Sequence, residues 1–125
     1  MQTADLVTDF HSIFGLAVNA PDTQELRILR QNLIDEESEE VCNALGWNEP
    51  LEDVAKELAD LVYVAYGTAV SLGIDLDEAI RRVHRSNMTK LGPDGEVLRR
   101  DDGKILKPPT YQPPDMTGVV HAGRR

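Results

Sequence analysis

From Leu58 to Gly73 the chain reads LADLVYVAYGTAVSLG, apolar or nearly so apart from one acid, Asp60. No other feature constrains the fold as strongly. A proline-free apolar segment of this length asks to be buried as a helix, and a carboxylate inside it must be satisfied. An unpaired buried carboxylate costs several kcal/mol or takes up a proton. Asp60 therefore lies either at the rim of the buried face, touching water, or in a site that offsets its charge.

The totals narrow the choice. At 125 residues the chain fits one domain with a modest core. Few aromatics and few β-branched runs favour helix over sheet. A net charge of −9 argues against nucleic-acid binding, because the phosphate backbone is repelled. An acidic chain that meets a polyphosphate needs a positive charge between them, and a divalent metal supplies one. Cys42 is the only cysteine, which rules out an intrachain disulfide and a cysteine zinc site. The start, MQTADLVTDFHSIF, lacks the basic-then-apolar pattern of a signal peptide, and the apolar segment is too short and too acidic to span a membrane. The expectation is a cytoplasmic protein with no membrane contact.

Four helices can be read before the chain changes character. Leu6, Phe10, Ile13, Phe14 and Ala17 recur at helical spacing and predict a short first helix. Asp22 with Glu25 has capping-box spacing for the second, which runs to about Leu45 and Gly46. Pro50 opens the third and Gly73 closes it. Asp75 and Glu78 repeat the capping spacing for a fourth, continuing to about Lys90. Beyond that, EVLRRDDGKILK predicts a short β-hairpin turning at Asp102-Gly103, and PPTYQPP an extended tail. The expected division is a helical part over 1–91, with the hairpin and tail over 92–125 belonging to the same domain.

Three helices interrupt their apolar stripes with polar groups. The second carries Leu26, Leu29 and Leu33, and the same line then reaches Glu36, Glu37 and Glu40. No Lys or Arg stands four residues after these acids to relieve them. On the third helix, Glu57 and Asp60 form an i, i+3 pair at the edge of the stripe Val54, Leu58, Leu61 and Ala65. Taken alone, a run such as DEESEE also reads as a solvated acidic face. Two acid clusters facing each other on antiparallel helices repel severely, unless one to three Mg²⁺ or Mn²⁺ ions lie between them. Hard oxygen donors suit those ions better than zinc. The fourth stripe, Leu76, Ile80 and Val83, ends in Asn87 and Lys90, which also suit a plain helix C-terminus.

Glu36-Glu37-x-x-Glu40, a gap of 16 residues and then Glu57-x-x-Asp60 resembles the EExxE…ExxD signature of the all-α nucleoside triphosphate pyrophosphohydrolase superfamily. That group includes MazG-like proteins, dimeric dUTPases and phosphoribosyl-ATP pyrophosphohydrolases. VHRSNMTKL is similar to its third element, which supplies an Asn and a Lys, here Asn87 and Lys90. FHSIFG and DGKILKPPTYQPPD resemble a MazG-like, phosphoribosyl-ATP pyrophosphohydrolase-like subgroup.

The resemblance implies an all-α, MazG-like four-helix bundle completed by dimerisation or tetramerisation. It implies Mg²⁺-dependent cleavage of a nucleoside triphosphate between the α- and β-phosphates. Glu37, Glu40, Glu57 and Asp60 are then the metal ligands, and Glu36 is either the residue that orients or deprotonates water or a further ligand. Asn87 and Lys90 contact phosphate oxygens, with Lys90 also stabilising charge in the transition state. His11, Phe14 and Trp47 are candidate surfaces for the base, with Phe14 read also as core. Two rivals stand beside nucleotide-pool housecleaning. One is hydrolysis of phosphoribosyl-ATP in histidine biosynthesis, and the other is a non-catalytic, metal-stabilised helical binding module.

Overall fold

Glycine and proline set the helix limits. The structure, a computed structural model, describes residues 1–121. Its elements are α1 (Thr3–Phe14), α2 (Gln24–Gly46), α3 (Leu51–Leu72) and α4 (Leu76–Met88). Gly15 ends α1 in the left-handed region at φ 71°, so Ala17 lies beyond the helix. Gly73 ends α3 in the same way at φ 70°. The α2 cap is Thr23, whose hydroxyl accepts from the Leu26 N–H at 3.2 Å. The expected cap, Asp22, instead takes a bidentate pair from Arg27 at 2.6 and 2.7 Å.

The chain divides into two compact units. One comprises Met1–Leu76 with Val120 and His121, and the other Asp77–Val119. In the first, α3 packs against both α1 and α2. Val7, Tyr66 and Val70 form its core cluster, flanked by Ala4, Val18 and Leu76. The residues joining α1 to α2 are tied to the end of α3: Asn19 and Ala20 donate backbone N–H groups to the Val70 and Ser71 carbonyls, each at 2.8 Å. Those carbonyls lie in the last turn of α3, where no helical partner is available.

A polar seam runs beside the core. The Ala17 carbonyl accepts from His11 Nδ1 at 2.9 Å and from Ser71 Oγ at 3.1 Å. Arg30 Nε donates to Thr68 Oγ1 at 3.1 Å, and its Nη2 to the Val64 carbonyl at 3.0 Å. Arg30 is only 6% exposed and His11 only 2%. Gly67 makes room for both. A Cβ there would fall inside contact distance of Arg30 Nη2 and 2.9 Å from His11 Nε2.

The apolar stripes expected to face the core are partly turned outward. On α1, Val7 and His11 are buried, while Ile13 and Phe14 are 77% and 66% exposed. Leu29, Leu58, Ile80 and Val83 are exposed as well. Periodicity finds the most apolar side of a helix, but α1 packs against α3 with the side carrying Ala4, Val7 and His11.

In the second unit, α4 ends at Met88, before the expected limit at Lys90, and buries Ala79 and Ser86. Glu78 accepts from Arg81 Nε at 2.9 Å and Arg82 Nε at 2.8 Å. These arginines are not simply solvated: Arg82 Nη1 also donates to the Asp115 and Thr117 carbonyls at 2.9 and 2.7 Å. Ser86 Oγ donates to the Gln112 carbonyl at 2.7 Å, and the Gln112 N–H to Thr89 Oγ1 at 2.8 Å. The tail is thus strapped along α4. The expected hairpin is not present as two strands. A turn forms at Asp102-Gly103 with Gly103 at φ 89°, and its arms join through the isolated bridge Arg99–Ile105 and the N–H groups of Arg100 and Leu106, which donate to the Lys104 and Leu98 carbonyls, without forming named strands. Among the described residues no helix is long and apolar enough to cross a membrane.

The Gly67 clearance reverses a familiar sign. Gly→Ala inside an open helix usually stabilises by about 1 kcal/mol. Gly67→Ala is expected to destabilise by about 1–3 kcal/mol in urea unfolding, because neither buried partner can move away freely. Gly46→Ala, where nothing lies within 4 Å of the added atom, is the control and is expected to be neutral or stabilising.

Candidate metal centre

The connection between α2 and α3 is only residues 47–50, so the helices run antiparallel as neighbours. Glu40 lies six residues before the last residue of α2, and Glu57 six after the first residue of α3. At about 1.5 Å per residue the two stand at the same height above the turn. Glu37 and Asp60 lie one further turn along, on the same sides of their helices.

The geometry follows from this symmetry. One carboxylate oxygen from each of Glu37, Glu40, Glu57 and Asp60 lies within 4.8 Å of the other three. Glu37, Glu57 and Asp60 are half-buried, while Glu40 is exposed. Glu37 Oε2 and Glu57 Oε2 are buried without a hydrogen-bond partner. Two like charges 4 Å apart repel by roughly 4 kcal/mol at an effective dielectric of 20. Buried acceptors without donors add a desolvation cost. Both costs fall if a hard divalent cation accepts the oxygens, so the donor set fits such an ion.

The electrostatics carry the same strain. A proton shared in a hydrogen bond with Glu57 raises the Glu40 carboxyl above its usual range, and the charges of Glu37 and Glu57 add to the effect. Lys56 relieves part of it. Its Nζ lies 2.7 Å from Asp60 Oδ2 and 3.4 Å from Glu57 Oε1, and the hydrogen bond to Asp60 holds the ammonium charged. Sequence reasoning missed this lysine, although Lys56 and Asp60 stand at i, i+4, the spacing at which a helix pairs charges.

The other candidates are not among the four converging acids. Glu36 precedes Glu37 on α2 and is exposed, and it is not among the four converging acids. Asn87 is exposed on α4 and Lys90 half-buried just past its end, both in the second unit. Trp47, at the C-cap of α2, is 73% exposed. Phe14 is not a core residue; its ring lies 4.7 Å from that of Phe10. His11 offers no open face for a base, because it is buried with Nδ1 engaged by the Ala17 carbonyl.

Three expectations follow for the protein prepared without metal. Glu57→Gln removes one of four mutually repelling charges and is expected to raise Tm by about 4 °C. Saturating Mg²⁺ at about 100 times its Kd is expected to stabilise the wild type by about 2.7 kcal/mol and leave Glu57→Gln unmoved. The raised Glu40 value sets a pH dependence. The folded chain holds this proton more tightly than the unfolded chain, so stability falls as pH rises from the ordinary glutamate value through the raised one. Thermal melts across that range should show the fall without metal, and Glu40→Gln should flatten it.

Comparison with known proteins agrees with this chemistry. No curated protein matches the chain. The family model described as phosphoribosyl-ATP pyrophosphohydrolase matches residues 7–87, which include all four converging acids as well as Glu36 and Asn87. That family falls within the MazG-like all-α nucleoside triphosphate pyrophosphohydrolases, hydrolases acting on phosphoric anhydrides. The chain belongs to the phosphoribosyl-ATP pyrophosphohydrolase family.

Proposed function

We propose that this pyrophosphohydrolase cleaves a nucleoside triphosphate between its α- and β-phosphates, giving a nucleoside monophosphate and pyrophosphate, and that it requires Mg²⁺. The observation that carries the reading is the convergence of four carboxylates with two buried, unpartnered oxygens. Glu37, Glu40, Glu57 and Asp60 are the residues that would hold Mg²⁺, with Mn²⁺ as a substitute. When bound, the ion supplies charge compensation for the polyphosphate and polarises the phosphoryl oxygens.

The chain's own groups supply the rest. Glu36, exposed beside Glu37, accepts the proton of the attacking water or orients it. Lys90 and Asn87, in the second unit, carry an ammonium and an amide donor of the kind that suits phosphate oxygens and developing phosphate charge. Phe14 and Trp47 keep exposed ring faces that suit stacking on a base. The apolar sides of α1 and α3 exposed at Ile13, Phe14, Leu58 and Val62 suit burial against a second copy, as a homodimer or tetramer.

The family description favours a second reading, hydrolysis of phosphoribosyl-ATP in histidine biosynthesis. Both substrates present a triphosphate to the same acids, so the acids do not separate them. A panel of dUTP, dCTP, other nucleoside triphosphates and phosphoribosyl-ATP with Mg²⁺ does, through the substrate with the highest kcat/KM. Glu40→Gln and Asp60→Asn are each expected to lower kcat at least a hundredfold, about 3 kcal/mol of barrier. Unchanged pyrophosphate release in a folded variant would show that these acids do not carry the cleavage.

A further inference from the structure

The cluster of four acids is served by one cation that the chain itself supplies. Lys56 lies on the same helix as Glu57 and Asp60, and its ammonium touches both carboxylates, at 3.4 and 2.7 Å. Its side chain is 66% exposed, so it reaches the cluster from solvent rather than being locked in the core. By contrast, Arg30 on α2 is buried and fixed by two hydrogen bonds.

We propose that Lys56 is a displaceable counter-ion of the acid cluster, which weakens and thereby sets its affinity for the divalent cation. The inference rests on reading the cluster as the metal centre. Two effects act in the same direction. The ammonium holds Asp60 Oδ2 and Glu57 Oε1, so a cation that draws on either of these oxygens must displace it. It also adds a positive charge within a few ångströms, lowering the attraction of the cluster for any further cation. Displacement is easy, because an exposed lysine pair contributes little to stability and the flexible stem can swing the ammonium into water. A guanidinium could instead grip a carboxylate in a two-point fork. A freely releasable lysine keeps the acids together until the metal arrives, and it keeps the metal exchangeable.

The test is calorimetric titration of the purified protein with Mn²⁺ and with Mg²⁺, comparing wild type, Lys56→Met, Lys56→Arg and Glu57→Gln. Lys56→Met is expected to bind about three- to tenfold more tightly than the wild type, with the gap narrowing as KCl is raised. Lys56→Arg, which keeps the charge, is expected to stay near or above the wild-type Kd. Unchanged or weaker binding by Lys56→Met, in a protein whose wild type binds and whose Glu57→Gln variant does not, overturns the role of Lys56 alone. If the wild type itself fails to bind, or Glu57→Gln binds equally well, the metal-centre reading fails, and the role of Lys56 with it. Since Lys56 is exposed, matching thermal melts confirm that each variant is folded.

Discussion

Mutual repulsion among Glu37, Glu40, Glu57 and Asp60 is the constraint on which the rest of this structure depends. The acids sit between α2 and α3, the two longest helices, where packing holds them together whether or not they attract. Val41 and Ala44 on α2 and Val54 on α3 are buried on the turn side of the cluster. Arg30 bonded to Val64 and Thr68 ties the helices on the far side. Apolar burial and a buried guanidinium thus bracket a charge cluster that would otherwise push the helices apart. Stability is given up at the point where chemistry is expected, a common arrangement for sites that must receive a charged ligand.

The same economy shapes the periphery. The loop after α1 is tied to the free carbonyls of α3, and the tail is tied to α4 by Arg82, Ser86 and Thr89. Val18 of the loop packs against the core cluster and Val119 of the tail is buried, so burial and hydrogen bonds hold these segments together. Large apolar side chains such as Ile13, Phe14 and Leu58 meanwhile remain in contact with water.

How much of this could be read from the sequence depends on the range of the interaction involved. The four acids were legible because i, i+3 spacing and near-symmetry about a four-residue connection are local facts. Helix ends at Gly46 and Gly73 were legible for the same reason. The inward faces were not. Hydrophobic periodicity marks a helix's most apolar side without saying what covers it, so Leu6 and Ile13 passed for core while Val7 and His11 took that place. Burial of Arg30 and His11 depends on Gly67, 37 residues beyond Arg30 in the chain. No window of sequence reveals that such a gap will be filled by a guanidinium. Thr23 displaced Asp22 as a cap because Arg27 offered the aspartate a charged partner. The arms flanking Gly103 pair over a few residues around a single bridge and form no extended strands, since a turn signal sets where a chain reverses but not how far its arms pair.

The most direct measurement is a crystal structure of the protein grown with Mn²⁺, with data collected at the manganese absorption edge. An anomalous peak about 2.0–2.3 Å from carboxylate oxygens of Glu37, Glu40, Glu57 and Asp60 is the expected result. It should come with Lys56 Nζ withdrawn from Asp60. A map with no peak between α2 and α3 at saturating Mn²⁺, or with its peaks on other residues, would contradict the assignment of these four acids as the centre of the site.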